Sequence, residues 1–191
     1  DGVGVSEHAR AAASDDSRRH GDALVGRLPN GRFASVPGGL RNIVGTLPGK
    51  GAPIVIGAHY DTEATIPGRV GANVGAAGTA AVVELARALG RVDRGPNAPP
   101  LRFVLFDGEE EPAGTEGEAF EDVGLSESKV EARRNPNPRA MILLDYIAER
   151  RGLRIPREGN SDPALWKRLR TAARQDGTLG VFPDATGVAI I

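Results

Sequence analysis

The chain contains 191 residues, a length that fits one domain of ordinary size and argues against two. Its 24 lysines and arginines balance 25 aspartates and glutamates, so the net charge is -1 and we expect neither a nucleic-acid nor a membrane partner. Cysteine is absent, which excludes disulfides, thiolate zinc sites and a cysteine nucleophile. No apolar run approaches the roughly 20 residues that span a bilayer, so a soluble protein is expected, either cytoplasmic or exported after removal of a signal.

The chain begins with a polar stretch, and residues 1–35 are expected to form an arm or a weak helix ahead of a single domain over residues 36–191. Apolar runs then predict five strands, Leu40–Leu47, Pro53–Ala58, Leu101–Phe106, Ala140–Tyr146 and Val188–Ile191. The second, third and fourth runs are almost continuously apolar, which is typical of strands covered by helices on both faces.

Two segments between and after these strands predict helices. Residues 79–89 place their apolar side chains on one stripe. Asp162 and Pro163 predict the cap and first turn of a second helix, in which Leu165, Trp166, Leu169 and Ala173 are expected to be buried. Charges and alternating prolines predict a long loop over Glu121–Arg139. The alternation of strands and helices predicts an α/β sandwich.

Candidate metal ligands follow three of the predicted strands. His59 and Asp61 come after the second strand, Glu109 and Glu110 after the third, and Asp145 within the end of the fourth. Ligands in α/β sheets gather at the carboxyl ends of the strands, so these side chains can converge on one cation. Imidazole and carboxylate without thiolate suit a catalytic zinc site. Two adjacent glutamates allow one to bind the metal while the other carries a proton, which is hydrolytic chemistry.

Four motifs make the sequence resemble a known family. They are Gly-Ala-His-Tyr-Asp-Thr at 57–62, Gly-Ala-Asn-Val-Gly-Ala-Ala-Gly-Thr-Ala at 71–80, Phe-Asp-Gly-Glu-Glu at 106–110 and Met-Ile-Leu-Leu-Asp at 141–145. Their order and spacing resemble those of the co-catalytic zinc aminopeptidases of clan MH, a family that also contains the glutaminyl-peptide cyclases. The resemblance implies a three-layer αβα sandwich around a mixed, largely buried sheet.

The resemblance also implies a role for each candidate residue. His59 and Asp145 would be ligands of one zinc ion, with Asp61 orienting the His59 imidazole. Glu110 would be a ligand of a second zinc ion, and Glu109 would be the general base that activates water. The expected substrate is the N-terminal aminoacyl group of a peptide.

Two features depart from the family pattern. Val74 stands where the family has the aspartate that bridges both metal ions, and valine cannot be a ligand. Two neighbouring divalent cations need anionic bridges to offset their repulsion, so a tight site for two zinc ions is not expected. The chain also ends at Ile191, before the family's last histidine ligand would come, so we expect a domain that is incomplete at its C terminus. A strand over 188–191 would then offer an exposed edge for self-association.

Three functions therefore stay open at the level of sequence. The first is a zinc-dependent hydrolase of the aminopeptidase type with a weakened metal site and low activity. The second is a glutaminyl-peptide cyclase, in which the substrate's own amine attacks. The third is an inactive pseudoenzyme that serves as a peptide-binding or scaffolding module. Metal content separates the first two from the third, and product mass separates hydrolysis from cyclisation.

Overall fold

The computed structural model describes residues 9–66, 68–112, 114–115, 119–149 and 151–187. The helices are α1 Asp15–Val25, α2 Ala77–Leu89, α3 Phe120–Val123, α4 Ser126–Arg134 and α5 Pro163–Gln175. The strands are β1 Arg32–Ser35, β2 Arg41–Leu47, β3 Ile54–His59, β4 Leu101–Phe106 and β5 Ala140–Leu143. Short 3-10 turns cover Pro37–Gly39 and Leu179–Val181, and a distorted turn over Ala72–Ala76 leads into α2. None of the described helices has the length and apolar character that a membrane crossing requires.

The described residues fall into two compact units, divided between Tyr146 and Ile147. The first unit holds all five strands and helices α1 to α4, and the second holds α5. The proposed boundary near residue 35 stays a prediction. The strand predicted over 188–191 lies outside the described residues.

The five strands form one mixed sheet in the order β1-β2-β4-β3-β5. β2 pairs antiparallel with both β1 and β4, whereas β3 pairs parallel with both β4 and β5. The three parallel strands therefore end at the same edge of the sheet, where the predicted ligands follow them.

Helices cover both faces of this sheet, which confirms the predicted three-layer αβα sandwich. On one face, apolar side chains of the sheet pack against α1 and α2. The sheet contributes Ile43, Ile56, Phe103 and Leu105, and the two helices contribute Leu24, Val82 and Ala86. The opposite face carries a smaller cluster of Val44, Val55, Val104 and Phe106. Arg102 lies on this second face, because strand residues two apart share a face, and it pairs with Glu131 of α4 at an Nε–Oε1 distance of 2.6 Å.

The long loop predicted over Glu121–Arg139 is wrong, because α3 and α4 occupy most of that segment. The segment lacks an apolar stripe, which is why periodicity did not reveal a helix. α4 is instead attached to the sheet by the Arg102–Glu131 ion pair, and Asn135 donates a further hydrogen bond to the Glu131 carboxylate at 2.9 Å.

Two predictions about strands also need correction. The fourth apolar run was expected to be covered on both faces, but Met141, Ile142 and Leu143 of β5 are exposed. β5 lies at the edge of the described sheet and pairs with β3 alone, so it has fewer neighbours than β3 or β4. β1 was not predicted, since a four-residue strand with mostly exposed side chains leaves no apolar signature.

In the second unit, α5 starts where the sequence predicts. The Asp162 side chain accepts the Leu165 amide at 2.6 Å, and Pro163 occupies the first turn. Of the four side chains expected to be buried, only Ala173 is; Leu165 and Trp166 are half-buried and Leu169 is exposed. Within this unit, the Trp166 ring meets Phe182 edge-on, with ring centroids 6.0 Å apart.

Candidate metal centre

The strand ends at one edge of the sheet bring the predicted ligands together. His59 is the last residue of β3 and lies beside Phe106, the last residue of β4. The Leu144 amide donates to the Gly57 carbonyl at 2.8 Å, which keeps the chain after β5 level with β3. Side chains that follow β4 and β5 therefore reach the neighbourhood of His59.

His59 lies at the centre of this group, and its side chain is only 3% exposed. Its Nδ1 atom is 3.4 Å from Asp61 Oδ1 and 3.8 Å from Glu109 Oε2. Its Nε2 atom is buried, has no hydrogen-bond partner among the described residues, and lies 3.6 Å from Asp145 Oδ1. A buried polar atom without a partner is costly, so Nε2 calls for a cation or a proton there.

The spacing of these atoms fits a zinc ion. Nitrogen and oxygen ligands lie about 2.0–2.2 Å from zinc in tetrahedral geometry, which places two of them roughly 3.3–3.5 Å apart. The 3.6 Å between His59 Nε2 and Asp145 Oδ1 is close to that value. His59, Glu109 and Glu110 also each offer one ligand atom, and these atoms lie within 4.8 Å of one another.

Asp61 connects the histidine to the two glutamates. Its side chain is fully buried and accepts the backbone amides of Glu109 at 3.3 Å and Glu110 at 3.1 Å. The same carboxylate faces the His59 ring. Asp61 therefore fixes the loop after β4 relative to the end of β3 and orients the His59 ring. Because its carboxylate oxygens already accept these hydrogen bonds, few acceptor positions are left for a metal ion.

Burial and crowding of charge shift the pKa values in this centre. Burial by itself lowers the pKa of His59, but the carboxylates of Asp145, Asp61 and Glu109 outweigh it and raise the pKa to about 10. Burial raises the pKa of Glu109 to about 8, and it raises that of Glu110 as well. Both shifts favour the protonated forms of His59 and Glu109 when no metal ion is bound, and a bound cation would compete with those protons.

Val74 lies in the distorted turn before α2. Its neighbour Gly75 has φ +83°, and a Cβ built there would be 2.8 Å from the Asp61 carbonyl oxygen and 3.1 Å from His59 Cε1. The chain at Gly75 thus passes directly against the His59 ring. An apolar side chain stands at the position where the resemblance would place an anionic ligand.

The structure reveals supporting residues that sequence reasoning missed. Thr79 donates to the His59 carbonyl at 2.9 Å. Asp107 belongs to the acidic motif but is used elsewhere, accepting the Ser17 hydroxyl and the Arg41 amide, both at 3.0 Å. Arg10 reaches the loop after β3 from the polar N-terminal segment. Only Thr79 and Asp107 lie in the motifs, and nothing in the local pattern of residues 1–35 indicates Arg10.

Comparison with known proteins decides the family. The profile of Peptidase family M28 matches residues 42–186. The chain belongs to this family. The M28 match spans both units and includes every candidate site residue.

Solved structures support the M28 fold. The chain is similar to a glutaminyl cyclase of Bacteroides thetaiotaomicron bound to N-acetylhistamine, with 26% identity and a TM-score of 0.77 over 95% of this chain and 72% of that one. It is similar to the Tannerella forsythia glutaminyl cyclase, with 25% identity, a TM-score of 0.77 and coverage of 96% and 72%. A Zn-dependent exopeptidase of Parabacteroides distasonis has the same fold, with 23% identity, a TM-score of 0.76 and coverage of 96% and 72%. No curated protein matches the chain.

The M28 chain therefore has a zinc exopeptidase-like fold, and relatives of that fold include both hydrolases and cyclases. The individual roles assigned to His59, Asp61, Glu109, Glu110 and Asp145 stay predictions, as does the loss of a bridging ligand at Val74.

Proposed function

We propose that this M28 chain is a zinc-dependent hydrolase of the exopeptidase type that removes N-terminal residues from peptides. The observation that carries the proposal is the buried Nε2 atom of His59, which has no hydrogen-bond partner among the described residues and lies 3.6 Å from Asp145 Oδ1, on a ring that also has Glu109 and Glu110 nearby. This donor set contains imidazole and carboxylate only, which is the chemistry of a catalytic zinc site in a chain without cysteine.

The described residues fit one zinc ion better than two. His59 and Asp145 would hold the ion from two strand ends. Glu110 would supply a carboxylate from the loop after β4, where it and Glu109 each offer an atom within 4.8 Å of one His59 nitrogen. Val74 supplies no anion to offset the repulsion between two cations, so we propose a single ion at this centre. A bound zinc ion would polarise the scissile carbonyl of the substrate and make an attacking water more acidic.

The proton chemistry is assigned to Glu109. Its carboxylate is 3.8 Å from His59 Nδ1, its side chain is 18% exposed, and burial raises its pKa to about 8. That value describes the metal-free chain; a nearby zinc ion would favour the ionised carboxylate, which can accept a proton from water and then return it to the leaving amine. The Asp61 carboxylate contacts both the Glu109 amide and the His59 ring, so it keeps the proposed base, Glu109, at a constant distance from the proposed metal ligand, His59.

Zinc titration of the purified chain, stripped with a chelator, tests this proposal. We expect one equivalent to bind by calorimetry and to switch on cleavage of aminoacyl p-nitroanilides and of unblocked peptides. N-terminally acetylated peptides are the control and should resist cleavage. Absence of zinc binding at millimolar metal would refute the proposal.

A glutaminyl cyclase is the second candidate, because the solved structures at 25–26% identity are glutaminyl cyclases. A peptide that begins with glutamine separates the two reactions by product mass. Hydrolysis releases free glutamine and a shortened peptide. Cyclisation keeps every residue of the peptide and lowers its mass by that of one ammonia. A chain that binds such peptides without zinc and without turnover would instead be the peptide-binding pseudoenzyme that Val74 suggests.

A further inference from the structure

Arg10, which precedes α1, connects two loops of the candidate metal centre. We call residues 59–62 the histidine loop and residues 70–76 the glycine loop. The Arg10 side chain is almost fully buried, at 6% exposure. Its Nε atom donates to the Tyr60 carbonyl at 2.9 Å, and its Nη1 atom donates to the Val70 carbonyl at 3.0 Å. One guanidinium group therefore spans the backbones of both loops.

The backbone of Arg10 is also held to the histidine loop. The Arg10 amide donates to Thr62 Oγ1 at 2.7 Å, and the Thr62 amide donates to the Arg10 carbonyl at 3.1 Å. This reciprocal pair fixes where the guanidinium starts. A rigid, planar group on a fixed backbone sets the separation of its two acceptors more strictly than a flexible lysine would.

The two loops are in direct contact, so the position of one determines that of the other. A Cβ built on Gly71 would be 2.8 Å from Thr62 Cγ2, and one built on Gly75 would be 2.8 Å from the Asp61 carbonyl oxygen. Arg10 carries a buried charge beside this contact. Burial lowers the pKa of Arg10, and the negative charge of Asp61 counteracts that shift, which is the electrostatic sign of a mutually favourable pair.

We infer that Arg10 is a positioning residue, which sets the distance between the histidine and glycine loops and thereby the approach of Gly75 to His59. Its guanidinium group donates to the carbonyls of Tyr60 and Val70 and is attracted by the charge of Asp61, so it acts on the candidate centre through these loop groups. The part of this inference that concerns the ordering of the loops depends on the fold alone. The part that concerns the geometry of a bound metal ion rests on the proposed function.

Hydrogen exchange of the metal-free chain tests the ordering of the loops. We compare Arg10→Met, Arg10→Lys and the control Arg19→Met, which removes an arginine of α1 whose side chain is 72% exposed. In Arg10→Met, amides in both loops should exchange at least about tenfold faster. The substitution removes the charged hydrogen bonds that link the two loops, so local opening of the loops costs less free energy. Amides of β4 should keep their protection. Arg10→Lys should lie between, and Arg19→Met should match the unmodified chain.

Thr62→Val keeps the inference testable if Arg10→Met does not fold. It removes only the acceptor of the Arg10 amide and should increase exchange in the same two loops. Unchanged loop exchange in Arg10→Lys and Thr62→Val would overturn the inference. Equal acceleration throughout the first unit would also overturn it, since that result indicates a general structural role.

Cobalt binding separates this inference from the proposed function. In the unmodified chain, Co²⁺ should give a visible absorption spectrum. Arg10→Met should weaken Co²⁺ binding about 10- to 100-fold, as is usual for supporting groups of metal sites, and should alter the band shape, with partial recovery in Arg10→Lys. An Arg10→Met spectrum and affinity identical to those of the unmodified chain would refute positioning. If the unmodified chain binds no Co²⁺ while the loops still depend on Arg10, the proposed function fails and the ordering role stands.

Discussion

The capacity of the proposed site for cations is expected to depend on Val74. It lies beside Gly75, which packs against the His59 ring. Val74→Asp would add an anion near the proposed zinc ion, and we expect zinc affinity to increase at least about tenfold, since opposite charges a few ångströms apart attract strongly in a partly buried site. Competition titration against a chelator measures the change.

The control for this substitution is Asn73→Asp, which adds the same charge one residue earlier. A specific ligand at residue 74 predicts a much larger gain for Val74→Asp than for Asn73→Asp. Equal gains would mean that the general field of the loop is responsible. No gain in either variant would contradict the proposed place of residue 74 beside the metal.

Glu109 and Glu110 are neighbours in sequence, yet different roles are proposed for them. Glu109→Gln should leave zinc content almost unchanged and lower kcat by about 10² to 10⁴-fold, the usual contribution of a general acid or base. Glu110→Gln should lose zinc first. Zinc content by mass spectrometry and steady-state rates distinguish these effects, and Glu111→Gln is the matched control, expected to change neither. An active Glu109→Gln variant would remove the assignment of the base.

Among the structural elements, the distorted turn over Ala72–Ala76 brings the backbone of Gly75 against the His59 ring. Gly75→Ala puts a methyl group at φ +83°, 2.8 Å from a backbone oxygen and 3.1 Å from the His59 ring. We expect a loss of more than about 1 kcal/mol in the free energy of unfolding, together with weaker zinc binding. Urea denaturation and zinc titration measure the two effects.

Gly51→Ala is the matched control, since Gly51 also has φ +83° but has nothing within 4 Å of its added Cβ. It isolates the cost of the backbone conformation from the cost of the contact. Similar losses in both variants, with zinc affinity preserved in Gly75→Ala, would show that the approach of Gly75 to His59 does not shape the site.

For the whole molecule, three groups with raised pKa values, two of them buried and Glu109 half-buried, make stability depend on pH. The pKa of His59 is raised to about 10, that of Glu109 to about 8 and that of Glu127 to about 7, the two glutamates by burial and His59 by its carboxylate neighbours despite burial. Each value lies above the ordinary one, so the folded chain holds more protons than the unfolded chain. The metal-free protein should therefore lose stability from pH 6 to 9, by about 1.4 kcal/mol per pH unit for each extra proton held.

Thermal unfolding of the metal-free protein across this range checks the sign. Glu127→Gln removes one titrating group away from the candidate ligands and should reduce the slope mainly below about pH 7, the folded pKa of that group. Saturating zinc, which replaces the protons at the centre, should reduce the slope at higher pH. Stability that increases from pH 6 to 9 without zinc would contradict the assigned pKa directions.

Much of the fold follows from local patterns. The runs that became β3 and β4 are almost continuously apolar because helices cover both faces, so their positions and the mixed α/β class were predictable. α4 was not, since its attachment depends on the pairing of Glu131 with Arg102, residues 29 positions apart. β1 was missed as well, because its side chains are mostly exposed and its stability comes from backbone pairing with β2.

The sequence by itself determined the family and the set of candidate ligands, because strand ends and short motifs keep chemically specialised residues at recognisable spacing. Only the tertiary structure decided which of these side chains meet. Hydrogen bonding between parallel strands brings His59, Glu109 and Asp145 to one edge, and it leaves Asp107 facing Ser17 and Arg41 instead. It also brought Arg10 under the histidine loop. Such contacts join residues about 50 or more positions apart, and no local periodicity encodes a partner at that separation.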